Sequence, residues 1–111
     1  MVQIVCGEKG KGKTKVLLEK VNEVTNTTDG NIVYIDKDSK KMYELSNKIR
    51  LINMFEYPIN TGAEFVGFLC GIISQDHDIE EMFLDSFLTI SHIPDDELEF
   101  AIKDRKSTRL N

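Results

Sequence analysis

Gly7-Glu8-Lys9-Gly10-Lys11-Gly12-Lys13-Thr14 fits GxxxxGK[ST] in full. The chemistry available to such a run is the holding of a phosphate chain. Glycines let backbone N–H groups turn inward and approach phosphate oxygens with no Cβ in the way. A helix starting at the lysine adds its dipole. Lys13 would reach the β- and γ-phosphates, and the Thr14 hydroxyl would ligate Mg²⁺. Lys9, Lys11, Lys13 and Lys15 crowd this region of a chain whose net charge is −5. A local basic patch in an acidic protein suits a small anionic ligand better than nucleic acid. The candidate nucleotide-binding residues therefore run from Gly7 to Lys15. The plain alternative is a lysine-rich glycine turn, yet average residue usage puts a chance match in a chain this long on the order of 1% or less.

Such a loop needs an acid at the end of a second strand to hold the metal through water. Asp85 closes Met82-Phe83-Leu84, and Asp36 closes Val33-Tyr34-Ile35. Asp85 is preferred, because in the ATPase branch of the phosphate-loop proteins a strand commonly stands between the loop strand and the metal acid. Asp36 is the second candidate. That branch often places a water-orienting Glu directly after the metal acid; here the position is Ser86. Glu56, Glu80 or a residue of the missing C-terminus are the candidates for that role, and Arg50, inside a predicted strand, is no evident transition-state finger. Weak or partner-stimulated hydrolysis is the expectation.

These residues need elements to position them. Val2 to Cys6 reads as a buried strand ending at glycine. Leu17, Leu18, Val21 and Val24 recur at helical spacing from Lys13 to about Thr25. Asn26-Thr27-Thr28-Asp29-Gly30 is a turn by composition. Asn31 to Asp36 is a second buried strand, Met42 to Leu45 a short strand or a turn, and Ile49 to Met54 a third strand. Thr61 with Glu64 forms a capping box for a helix to about Ser74, apolar nearly all round. Met82 to Asp85 is a fourth strand, and Pro94-Asp95-Asp96-Glu97 opens another helix. Strands alternating with helices predict an α/β fold, a three-layer sandwich around a mostly parallel sheet.

The chain has 111 residues, enough for one domain, with 41% hydrophobic and 30% charged residues, a globular balance. Its longest strongly apolar run, Phe65 to Ile73, is too short to cross a bilayer, and the opening Met-Val-Gln-Ile-Val-Cys carries no signal pattern. Cys6 and Cys70 lack CxxC spacing and are expected to be buried, reduced thiols of a cytoplasmic protein. Asp76-His77-Asp78 reads as a solvated loop, since sequential residues rarely converge on one ion, and His92 as a turn residue. Tyr34, Tyr43 and Tyr57 are too scattered for a base-stacking surface.

Asp104-Arg105-Lys106-Ser107-Thr108-Arg109-Leu110-Asn111 breaks the preceding pattern. It matches the in-frame translation of a common short-read sequencing adapter. The domain is therefore read as residues 1–103 with its C-terminus incomplete, and residues 104–111 as a non-native tail set aside from the fold.

With these motifs in hand, the chain resembles the small P-loop proteins of Clostridia-type Firmicutes, often catalogued as ATP-binding or "twitching motility" proteins. The matching stretches are VQIVCGEKGKGKT, NIVYID, KIRLIN and MFLDSFL. The resemblance implies a cytosolic P-loop NTPase fold and ATP binding through Gly7, Gly12, Lys13 and Thr14. It does not imply pilus retraction, whose motors are far longer and carry extra domains. The strand-loop-helix-strand order also looks like thymidine kinase, without the zinc-binding cysteines. A partition-type ATPase would have its signature lysine where Glu8 stands. The expected function is Mg²⁺-dependent ATP binding with weak turnover. The alternatives are a nucleoside or small-molecule kinase and a non-hydrolysing, nucleotide-stabilised interaction module. The expected partners are a nucleoside triphosphate and an unidentified protein, with neither membrane nor nucleic acid.

Overall fold

The computed structural model describes residues 2–7, 13–85 and 106–110, with Lys13, Thr14 and 106–110 described by their backbone alone. Apolar runs bounded by turn residues become parallel strands, and the central ones are largely buried on both faces, as a covered parallel sheet requires. The strands are β1 (Gln3–Gly7), β2 (Asn31–Asp36), β3 (Ile49–Asn53) and β4 (Ile79–Leu84). Two α-helices, α1 (Lys13–Val24) and α2 (Gly62–Gln75), alternate with them. A fifth strand, β5, spans Lys106–Leu110. The sheet order is β3-β2-β4-β1-β5, and every neighbouring pair is parallel.

Period-two alternation divides the core between the two faces. On one, Ile4, Cys6, Val33, Ile35, Met82 and Leu84 pack with Phe65 and Leu69 of α2. On the other, Val5, Ile32, Tyr34 and Phe83 pack with Leu17, Leu18 and Val21 of α1. Helices therefore cover opposite faces, the arrangement of an α/β sandwich. Gly7 allows α1 this close approach: a Cβ there would lie 2.8 Å from a Leu17 methyl carbon.

Thr61 and Glu64 form the expected capping box, the Thr61 hydroxyl accepting from the Glu64 N–H at 3.1 Å and Glu64 Oε1 accepting from the Thr61 N–H at 3.0 Å. Of the two forms open to Met42–Leu45, the turn is found, as a single 3-10 turn at Met42–Glu44. Other expectations are corrected. A second 3-10 turn, Met54–Glu56, ends the third predicted strand at Asn53. Helix α2 is not buried all round: only Phe65 and Leu69, four apart, are fully buried, because a helix lying on one sheet face hides one stripe. Cys70 falls off that stripe and is exposed, so only Cys6 is a buried thiol. The segment set aside as a tail also enters the sheet, where Lys106–Leu110 pairs residue for residue with Gln3–Gly7. The outer edge of β1 otherwise presents unpaired N–H and C=O groups, which a parallel strand satisfies. The predicted helix opening at Pro94, with Ser86 and His92, lies outside the described residues. Among those described, no helix is long and apolar enough to cross a membrane.

Candidate functional site

Parallel strands bring their C-terminal ends to one edge, and ligands of open α/β sheets bind outside that edge. The register pairs Cys6 with Leu84 and Leu84 with Ile35. The next residue on each strand is Gly7, Asp85 and Asp36 respectively, so loop glycine and both candidate acids stand in one row. The Asp85 N–H donates to the Ile35 carbonyl at 2.9 Å, extending the ladder to the acid itself. Glu8–Gly12 lie outside the described residues. The backbone of α1 begins at Lys13, so the loop joins a strand end to a helix start as the motif demands. Lys15, in the first turn of α1, is exposed.

The sheet order corrects the ground on which Asp85 was preferred. No strand stands between β1 and β4, which pair directly; β4 is itself the strand inserted between β1 and β2. The topological reason offered for Asp85 belongs to Asp36. The two acids are moreover not alternatives in space, because one side chain joins them.

That side chain is Lys41. Its Nζ donates to Asp36 Oδ2 at 2.5 Å and lies 3.4 Å from Asp85 Oδ2. Asp36 and Asp85 are both 0% exposed, while the Lys41 side chain retains 18%. The turn after β2 returns the chain over its own strand end. The Lys37 N–H donates to Asp36 Oδ1 at 2.7 Å, the Lys40 N–H to Asp38 Oδ1 at 2.9 Å, and the Met42 N–H to the Ser39 carbonyl at 3.2 Å. From the sheet, the Tyr34 hydroxyl donates to Asp85 Oδ2 at 2.8 Å inside the core.

These contacts set the charge states. Burial pushes the Asp36 carboxyl up; the Lys41 hydrogen bond opposes this, the charge of Asp85 adds to it, and the Lys37 N–H opposes it again, leaving the acid above the ordinary carboxylate range. Burial works against the Lys41 ammonium, but its hydrogen bond to Asp36 and the charges of both acids outweigh that and hold it protonated. The Tyr34 phenol is pushed up by burial and by the Asp85 carboxylate, so it remains a donor. The cluster is two carboxylates sharing one ammonium: a site with excess negative charge and a cation already between its oxygens.

The other candidates disperse. Glu80 sits near the start of β4, five residues and roughly 16 Å from Asp85 along the strand. It lines a cavity of about 720 Å³ at the opposite sheet edge with Asp29, His77, Asp78 and Glu81, a lining that repels phosphate. Glu56 follows β3, three strand spacings or about 14 Å across the sheet from β1. Asp76 clamps structure at the far edge, accepting from the Asn31 side-chain amide at 2.8 Å, the Asp78 N–H at 2.9 Å and Arg50 at 3.3 Å. Those hydrogen bonds, the Asn31 amide first, hold its carboxyl below the usual range. Arg50 is thus engaged away from the loop. Among the described residues, no group of three or more His, Cys, Asp or Glu could hold a metal.

Sequence reasoning missed Lys41 and the role of Tyr34. Lys41 follows Asp36 by five residues in a lysine-rich turn, a spacing with no specific signal. Tyr34 had one: a hydroxyl inside an aliphatic strand must find a buried partner. No family model matches the chain, and neither a curated protein nor a solved structure matches it.

Proposed function

We propose that this chain is a P-loop NTPase-like domain that binds a nucleoside triphosphate, ATP above all, with Mg²⁺. The observation that carries the reading is the row formed by Gly7, Asp85 and Asp36 at one sheet edge. A sequence of phosphate-binding composition links that end of β1 to the start of α1, and Gly7 stands in a row with two buried acids. Residues Gly7 to Lys15 would cradle the phosphates, with Lys13 on the β- and γ-oxygens. Thr14, Asp85 and Asp36 are the donors toward Mg²⁺, hard oxygens of the type that ion prefers. With only two carboxylates and a hydroxyl from the protein, the metal would arrive with phosphate oxygens and water, its usual habit. When bound, it would neutralise charge on the phosphate chain.

Glu56 and Glu80, the two carboxylates considered for orienting water, both lie away from the acids. That supports slow or partner-stimulated turnover over rapid unaided hydrolysis by either of them. Asp36→Asn and Asp85→Asn, assayed for Mg²⁺-dependent nucleotide affinity, test the reading. Each is expected to weaken binding about tenfold or more in Mg²⁺ while leaving binding in EDTA little changed. Unchanged affinity in both variants would overturn it. Nucleotide that raises the melting temperature without being consumed, even with a cell extract supplying partners, would replace the NTPase by a nucleotide-stabilised module.

A further inference from the structure

Lys41 occupies the point where a cation serving both acids would sit. Its ammonium approaches Oδ2 of Asp36 and Oδ2 of Asp85, and it covers two carboxylates that have no solvent exposure of their own. A divalent ion at the ~2.1 Å that Mg²⁺ requires from those oxygens would stand against an ammonium already held between them, and the two cations repel. Lys41 is equipped to leave. It sits in a turn after β2, its side chain is partly exposed and flexible, and no other acid within the cluster holds it.

We infer that Lys41 is a built-in competitor for the metal position: a tethered cation that neutralises Asp36 and Asp85 without nucleotide and is displaced when metal enters with a phosphate chain. The inference rests on reading the acid pair as a metal site, and it adds the regulation of that site. Free Mg²⁺ alone would have to evict a covalently tethered ion pair, whose effective concentration is high. Metal carried by nucleotide brings the further binding energy of the phosphate loop. Metal occupancy is thereby coupled to nucleotide occupancy.

The test is direct titration of Mn²⁺, followed by the electron paramagnetic resonance of the free ion, into the full chain without nucleotide. The proteins are wild type, Lys41→Gln, Lys41→Arg and the Lys41→Gln/Asp36→Asn double variant, each checked for native circular dichroism. Wild type and Lys41→Arg are expected to bind Mn²⁺ weakly. Lys41→Gln should bind at least tenfold tighter, and the double variant should lose that gain. A parallel measurement of fluorescent ATP analogue binding in Mg²⁺ and in EDTA separates the two failures. Equal Mn²⁺ affinity for Lys41→Gln and wild type, with Mg²⁺-dependent nucleotide binding intact, overturns the role of Lys41 and leaves the site. Nucleotide binding absent from all four proteins overturns the site itself. Should Lys41→Gln be unfolded without metal, its refolding by millimolar Mn²⁺ but not by equal ionic strength of NaCl supports the inference, and its failure to refold in either overturns it.

Discussion

Replacing Lys41 by glutamine should destabilise the protein strongly at neutral pH and less in mild acid. The substitution keeps most of the stem and deletes the charge, leaving Asp36 and Asp85 buried side by side. Breaking a buried ion pair by removing one partner costs about 3–5 kcal/mol. Here the ammonium end reaches solvent, with 18% of the Lys41 side chain exposed, so water can enter where it stood. A loss of about 2–3 kcal/mol at pH 7 follows, against a total of roughly 5–15 kcal/mol for a domain of this size. With a urea m-value of about 1.5 kcal/mol/M, the unfolding midpoint should fall by about 1.3–2 M. The pH dependence has a fixed sign. Burial already raises the Asp36 carboxyl in the native state, and removing Lys41 takes away the opposing hydrogen bond. An acid raised in the folded state binds its proton more tightly there than in the unfolded chain, so stability is gained as pH falls through the folded value. The deficit should therefore be smaller at pH 5 than at pH 7. A deficit below about 0.5 kcal/mol at pH 7, the range of ordinary surface substitutions, would refute the buried-charge reasoning, as would an equal deficit at both pH values.

Two further substitutions probe the supports of the site. Tyr34→Phe deletes the donor that meets Asp85 Oδ2 at 2.8 Å within the core. Hydrogen bonds to charged groups are worth about 1.5–3 kcal/mol, and a loss in that range is expected in urea unfolding at pH 7; a neutral or stabilising result would show that the hydroxyl is not holding the acid. Thr61→Ala removes the cap of α2, where the hydroxyl accepts from the Glu64 N–H at 3.1 Å. It should cost about 1 kcal/mol in thermal unfolding and leave nucleotide affinity unchanged; altered affinity would mean that α2 bears on the site.

Four strands and two helices could be read from the sequence because local patterns and tertiary packing agree there. Val33-Tyr34-Ile35 and Met82-Phe83-Leu84 are continuous apolar runs, and a covered parallel sheet buries them on both faces. Thr61 and Glu64 announced their helix by a contact three residues apart, which spacing can encode. The GxxxxGK[ST] run could be read for the same reason, being a pattern of closely spaced residues. Strand order was not, since nothing in a linear pattern says that β4 inserts between β1 and β2. The relation of Asp36 to Asp85 therefore stayed a choice between two acids until the sheet placed them in one row. Lys41 stayed hidden because its meaning depends on Asp85, 44 residues further along, as well as on the nearby Asp36. Cys70 misled because a helix apolar nearly all round does not state which side meets the sheet.

The most direct test of the central claim is Mg²⁺-dependent binding of a fluorescent ATP analogue to the wild-type protein and to Lys13→Ala, with GTP as competitor. Micromolar binding that the substitution abolishes is the predicted result. Binding that is absent, or that persists unchanged without Lys13, would contradict it and leave the glycine-rich run as a turn in a structural domain.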